Sequence, residues 1–329
     1  MPNFWEKMKK PILCLAPMAD VTDSAFRYVI AKNSKIPFVT YTEFVSADGL
    51  VLAPEKGKKK LLKDLEFNDI ERPIVAQLFS SGPEMMEKAA QLVLELGFDG
   101  LDINMGCPDK SIEKQGAGAA LMKNPKLARE IIVAAKRGVK GKITVSVKTR
   151  IGYNKDELET WLPELLAENP AAIIIHARTR KEMSKVPARW DRIKRAVEIR
   201  DFLNSKTLII GNGDVKDIAD AEEKCFETGA DGAMLGRAIF GNPWLFANYE
   251  PTNEERLKVL LEHIKIFDEK FKGIKSFAIM KKHFKEYLKT PELTTSQELR
   301  GASRDLRFKL MRTETAKEAE DMLMDFNSN

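Results

Sequence analysis

The sequence predicts an α/β protein, a (β/α)8 TIM barrel followed by a small C-terminal all-α helical bundle, and three observations carry that prediction. Eight short apolar runs recur over about 235 residues, most of them followed by a helical pattern, which is how βα units on a parallel sheet read and matches this barrel in count and size. No Gly-x-Gly-x-x-Gly follows the first run, which disfavours a doubly wound sheet. From Asn253 onward the apolar residues keep helical spacing and no strand-like run interrupts them.

Taken in order, the strands are expected at Ile12–Ala16, Phe38–Thr42, Ile74–Leu78, Gly100–Asn104, Thr144–Lys148, Ala172–His176, Thr207–Ile210 and Gly232–Leu235. Each is short and apolar, and most are bounded by proline or glycine. Between them, Pro83–Leu96, Pro125–Arg137, Glu157–Leu166, Trp190–Leu203 and Asp217–Thr228 have the spacing of amphipathic helices. The bundle shows apolar positions at Leu257, Leu260, Leu261, Ile264 and Phe267, then at Phe277, Met280, Phe284 and Tyr287. Two further runs, Leu306–Leu310 and Ala316 to Leu323, complete about four helices. The expected division is therefore a barrel domain at 1–250 and a helical domain at 251–329.

At 329 residues, with 43% hydrophobic and 31% charged residues, the composition is that of a globular protein with ample core. No segment approaches the ~20 apolar residues of a membrane helix, and Met1 to Lys10 leads into no secretory core region. A cytoplasmic monomer is expected. Cys14, Cys107 and Cys225 form no CxxC pair, which argues against a zinc site and a disulfide framework. Cys14 and Cys225 read as core thiols. The net charge of +5 is mild, but Arg256 to Arg312 holds fifteen Lys or Arg against seven Asp or Glu. Within it Lys281, Lys282, His283, Lys285 and Lys289, beside Phe284 and Tyr287, suit a phosphate-contacting surface. A second basic run, Lys56 to Lys63, follows the second strand.

The strand ends of a barrel and the loops after them build its active site. Here they present Pro17 and Met18, Gln77, Asn104 and Cys107, Lys148 and Arg150, and His176 with Arg178 and Arg180. The last two ends carry Gly211-Asn212-Gly213-Asp214 and Gly236-Arg237, the kind of turns whose N–H groups receive a phosphate. With Gln77 for a ring edge and Lys148 as a nearby cation, the set suits flavin mononucleotide (FMN). No carboxylate–histidine cluster has metal-ligand spacing, so no metal is expected. Cys107 stands between Gly106 and Pro108 on a shaped loop, and the loop beyond it, with Gly116 and Gly118, is expected to be mobile until RNA arrives.

The ordered set of motifs resembles the tRNA-dihydrouridine synthases. It comprises Ala16-Pro17-Met18-Ala19 with Thr22-Asp23, Pro73 to Leu78, Asp102 to Pro108, Val147 to Arg150, His176 to Arg180, Gly211 to Val215, Met234 to Arg237 and Asn242-Pro243-Trp244. The resemblance runs from about Pro11 to Leu310. It implies an FMN-dependent enzyme that reduces the 5,6 double bond of particular tRNA uridines, with NADPH (or NADH) as reductant and tRNA as partner. It also implies that FMN touches Pro17, Met18, Ala19, Gln77, Lys148, His176, Asn212, Gly213, Asp214, Gly236 and Arg237. Hydride would pass from flavin N5 to C6 and a proton from Cys107, as general acid, to C5. A free thiol with a pKa of about 8.5 is protonated near neutral pH, which fits that role. Arg178, Arg180, Lys281, Lys282 and Lys285 are the expected RNA contacts.

Two departures stand out. Ala177 occupies a position usually held by glycine in that family, and Lys181 to Pro187 lacks the Tyr and Gly common there. A dihydroorotate-dehydrogenase-like enzyme acting on a free pyrimidine is the nearest alternative, but it leaves the basic bundle unexplained. An RNA-binding or tRNA-folding protein with secondary catalysis is the other.

Overall fold

The computed structural model describes residues 3–288 and 297–328. Its strands are β1 (Ile12–Leu15), β2 (Thr40–Ser46), β3 (Ile74–Phe79), β4 (Gly100–Asn104), β5 (Thr144–Arg150), β6 (Ala172–His176), β7 (Leu208–Asn212) and β8 (Gly232–Leu235). They form one parallel sheet in the order β1-β8-β7-β6-β5-β4-β3-β2. A parallel bridge between Cys14 and Val39 joins its two ends, with Leu15 N–H donating to Val39 O at 2.9 Å and Val39 N–H to Leu13 O at 2.9 Å. The sheet thus closes into the expected (β/α)8 barrel.

The helices are α1 (Ser24–Asn33), α2 (Ala47–Leu52), α3 (Glu55–Asp64), α4 (Pro83–Glu95), α5 (Lys110–Lys114), α6 (Pro125–Val139), α7 (Leu158–Leu166) and α8 (Trp190–Phe202). Beyond them come α9 (Ile218–Thr228), α10 (Asn253–Phe271), α11 (Lys281–Tyr287), α12 (Gln297–Leu310) and α13 (Ala316–Ser328). Their starts follow local chemistry. Pro83 and Pro125 open α4 and α6, where a missing N–H costs nothing, and Asp217 caps α9 through the Asp220 N–H.

Three strands run further than their apolar residues announce. β2 continues to Ser46 through a register shift between Tyr41 and Phe44, so the polar Thr42 and Glu43 lie inside it. β5 reaches Arg150 because Thr149 and Arg150 pair with Ile175 and His176, and β7 reaches Asn212 by pairing with His176 and Met234. Ladder pairing, which no local pattern reports, holds these polar residues in strands.

Ile12, Cys14, Val39, Tyr41, Val75, Ala172, Ile174, Ile210 and Met234 pack into one buried cluster with Trp5. Phe4 and Trp5 sit on a short 3-10 turn, and Phe4 lies against Gly100, the first residue of β4. The amino-terminal segment therefore covers the end of the barrel where strands begin. Toward the opposite end the interior turns polar: Gln77, Asp102 and Ser146 stand side by side in register, and Asn104 pairs with Lys148 one step further on.

Packing divides the chain otherwise than at residue 250. One compact unit is Met1–Ala19 with Pro37–Arg237; the other is Asp20–Ile36 with Ala238–Asn329. The helix after β1 thus belongs with the C-terminal helices. Asp23 caps α1 by accepting from Ala25 N and Phe26 N at 3.0 and 2.9 Å. Phe26 then stacks on His263 of α10 at 4.8 Å and meets His283 of α11 at a tilt, with ring centroids 4.3 Å apart. Both histidines are fully buried, so His283 stands in the core of this unit and not on the basic surface expected for it. Lys289 lies outside the described residues. No described helix is long and apolar enough to cross a membrane.

Candidate active site

Cys107 follows β4 on a loop whose shape is set from two sides. Asn104 Oδ1 accepts from Gly106 N at 3.1 Å and Cys107 N at 2.9 Å, which turns the chain sharply at the strand end. Arg150, at the end of β5, donates from Nε to Gly106 O at 2.9 Å and from Nη1 to Thr179 O and Met183 O at 3.2 Å each. One guanidinium therefore ties the cysteine loop to the loop after β6. The thiol is half-buried and packs against Phe79, Ile112 and Ala117. Burial pushes its pKa up; the Asp109 N–H opposes this, the Asp109 carboxylate adds to it, and Arg150 and Lys148 draw it back, leaving it above the ordinary value.

The segment beyond is helical. It forms α5 and a 3-10 helix at Gly118–Lys123, with Ala119 N donating to Cys107 O at 3.0 Å. Gly118 has φ +60°, and a Cβ there would lie 2.9 Å from Cys107 O, so glycine is required by both conformation and space. Arg180, expected to contact RNA, pairs with Glu113 of α5 while its guanidinium lies 5.2 Å from the Tyr153 ring. It pins this segment from the β6 side.

At the ends of β5 to β8 the character changes. Lys148 Nζ donates to Asn212 Oδ1 at 3.1 Å, and Asn212 Nδ2 donates to Met234 O at 2.8 Å. Burial, with Arg150 adding to it, brings the Lys148 amine down to about 8, while Asp102 and Cys107 hold it up. Arg178 is 2% exposed, which contradicts the expected RNA contact. It donates to Val186 O at 2.5 Å, to His176 Nε2 at 3.1 Å and to Asp214. Because a guanidinium only donates, His176 Nε2 is the acceptor and Nδ1 carries the proton. Burial, then Arg150, Lys148, Arg178 and Arg237, hold His176 well below the ordinary histidine range.

Asp214 has φ 51° and accepts from Arg178, from Arg237 at 2.6 Å and from Ala188 N at 2.9 Å. Burial pushes its carboxyl up, but these partners outweigh it and leave it below the usual range. Gly213 has φ +124°, and a Cβ there would meet Ala188 at 2.8 Å and His176 at 3.1 Å. Gly236 instead looks onto Ala16 and Met18 at 3.7 and 3.8 Å. The predicted residues of β1, β5, β6, β7 and β8 thus share one end of the barrel, around His176 and Asn212.

Gln77 is fully buried, donating to Asp102 Oδ2 at 2.7 Å and accepting from Asn104 Nδ2 at 3.0 Å. Asp102, which the sequence reading did not assign a role, also accepts from Ser146 Oγ at 2.6 Å. Burial raises its carboxyl to about 6, against the hydrogen bonds from Ser146 and Gln77 and the charge of Lys148. The signal for it was present, since a carboxylate inside a strand buried on both faces is rare unless partnered. Of the expected RNA-contacting lysines, Lys282 reaches Asp20 at 3.7 Å within the helical unit, and Lys285 is exposed with Glu286 at 3.9 Å.

Comparison with known proteins bears on the chain as a whole. The family described as dihydrouridine synthase matches residues 14–328. A probable tRNA-dihydrouridine synthase of Staphylococcus aureus (strain COL) is 38% identical over 99% of this chain and 96% of its own length. Probable tRNA-dihydrouridine synthase 2 of Bacillus subtilis (strain 168) is 38% identical over 98% of this chain and 96% of its own. Among solved structures, 2-naphthoyl-CoA reductase superposes with a TM-score of 0.53 at 12% identity, over 71% of this chain and 49% of that one. Histamine dehydrogenase from Rhizobium sp. 4-9 gives 0.53 at 12% identity over 77% of this chain and 48% of that one. The chain spans about half the length of each, and the likeness is one of fold.

Proposed function

Because the chain belongs to the dihydrouridine synthase family, we propose that it reduces the 5,6 double bond of uridines in tRNA, using FMN at the barrel mouth and NADPH or NADH as reductant. The observation that carries the reading is Cys107: a half-buried, protonated thiol on a fixed loop at the same strand ends as the cationic corner around His176. The donor set suits a flavin phosphate. Lys148, Arg150, Arg178 and Arg237 all bear on His176, and Asp214 is already engaged by two of them, so an anion there relieves repulsion among like charges.

The residues that would hold the cofactor are Pro17, Met18 and Ala19 after β1, Gln77, Lys148, His176, Asn212, Gly213 and Asp214, with Gly236 and Arg237 after β8. Bound there, FMN supplies the hydride for C6 of the uracil ring and is restored by the nicotinamide reductant. Cys107 supplies the proton to C5, and its raised pKa keeps that proton on sulfur at neutral pH. Asn104 and Arg150 hold the loop so that the thiol keeps one position. Extruding a base from folded RNA costs a few kcal/mol, offset in this reading by Arg180 on the barrel and by Lys281, Lys282 and Lys285 on α11.

Purified protein supplied with FMN, NADPH and unmodified tRNA should form dihydrouridine. Cys107→Ala should lower the rate by about 10²–10⁴-fold, the range for losing a general acid, while flavin and tRNA binding persist. Colourless protein that cannot be reconstituted with FMN, or an undiminished variant, rejects the reading.

A further inference from the structure

The interior polar groups of β3, β4 and β5 form a chain with a direction. Asp102 accepts from Ser146 Oγ at 2.6 Å and from Gln77 Nε2 at 2.7 Å; Gln77 Oε1 accepts from Asn104 Nδ2 at 3.0 Å; and Asn104 Oδ1 accepts from Cys107 N at 2.9 Å. Amide oxygen and nitrogen are usually assigned by their neighbours. Here both ends force the same assignment. A carboxylate only accepts, so Gln77 must turn its nitrogen toward Asp102 and its oxygen toward Asn104. Backbone N–H groups only donate, so Asn104 must turn its oxygen to Gly106 and Cys107 and its nitrogen back to Gln77.

We propose that Asp102 is a positioning residue, setting the direction of the Asp102–Gln77–Asn104 relay and thereby the backbone of the Cys107 loop. The assignment of the Cys107 end to a proton donor rests on the function proposed above. Reversing either amide sets oxygen against oxygen or donor against donor in a buried site, where an unsatisfied polar group is costly. The carboxylate buried in the barrel is thus a reference for orientation, which an apolar residue of the same size cannot supply. Ser146, in register with Asp102, keeps one of its oxygens occupied so that the other is left for Gln77.

The test is a polarity swap. N104D places acceptor-only carboxylates on both sides of the Gln77 amide, and the relay then has no satisfied arrangement with both ionised. Adding D102N gives it one in the opposite sense: the new carboxylate accepts from Gly106, Cys107 and Gln77, and the new amide donates to Gln77 Oε1. Alkylation of Cys107 by iodoacetamide, read by peptide mass, should change about tenfold in N104D and return to within about twofold in D102N/N104D, a rescue that independent damage does not produce. Where N104D does not fold, the double variant should regain a cooperative melting transition. A double variant as impaired as N104D, or an N104D protein that behaves like the parent, overturns the relay. Alkylation requires neither FMN nor tRNA. A parent protein that makes no dihydrouridine therefore refutes the proposed function and leaves the relay result standing.

Discussion

At the ends of β3 and β4 every polar group is satisfied by the next, in hydrogen bonds running one way from Cys107 N to Asp102. At the ends of β5 to β8 four cations bear on one neutral histidine, and the nearest carboxylate is already paired twice. The first corner is complete as it stands. The second stores repulsion that a bound anion removes. One side of the barrel mouth is therefore built for orientation and the other for capture, and each responds differently when disturbed.

Acid should separate the two most. His176 is held well below the ordinary range, as are His263 and His283 (the last to about 3), so the folded protein refuses protons that the unfolded chain takes up near 6.5. Stability is lost as pH falls below that value, by about 2 kcal/mol for each such histidine at pH 5. Asp102 works in the opposite sense: raised to about 6, it gains a proton in the folded state first, and its contribution rises as pH falls through 6. Urea titrations at pH 7 and pH 5 check the net loss, and His283→Phe should remove its share.

Arg178→Ala comes next. It leaves Asp214 and His176 without their shared partner and should cost about 2–3 kcal/mol, less than a fully buried pair because Asp214 is 34% exposed. A loss below about 0.5 kcal/mol would mean that this corner is held by packing alone. A smaller shift would sharpen the capture side directly. FMN binding should raise the His176 pKa as its phosphate offsets the surrounding cations, visible by NMR titration. An unmoved histidine would put the phosphate elsewhere. The smallest effect is expected from Lys281, Lys282 and Lys285 replaced together by Gln. The salt slope of tRNA binding should fall by about 1–2, since Lys282 and Lys285 already have acidic neighbours.

Period and spacing were enough to find the barrel and the place of each strand, because both rest on local pattern, whereas the extensions of β2, β5 and β7 rest on pairing across the sheet. Arg178 was misread for a physical reason. Its position two residues past β6 resembles a rim arginine, but its guanidinium turns inward to partners distant in sequence, Val186 O and Asp214. Asp102 was visible as a charge in an apolar run, but its role depends on register with Gln77 and Ser146, residues 25 and 44 positions away. The partnership of α1 with α10 and α11 was out of reach for the same reason, since Phe26 and the histidines its ring meets lie far apart in the chain.

That partnership bears on how the chain is made. Phe26, Val29 and Ile30 are fully buried in the helical unit, yet they leave the ribosome early and His263 and His283 leave late. At about 5–20 residues per second, α1 waits roughly ten to fifty seconds for its partners. During that interval the apolar face formed by Phe26, Val29 and Ile30 lacks the partners it has in the folded protein.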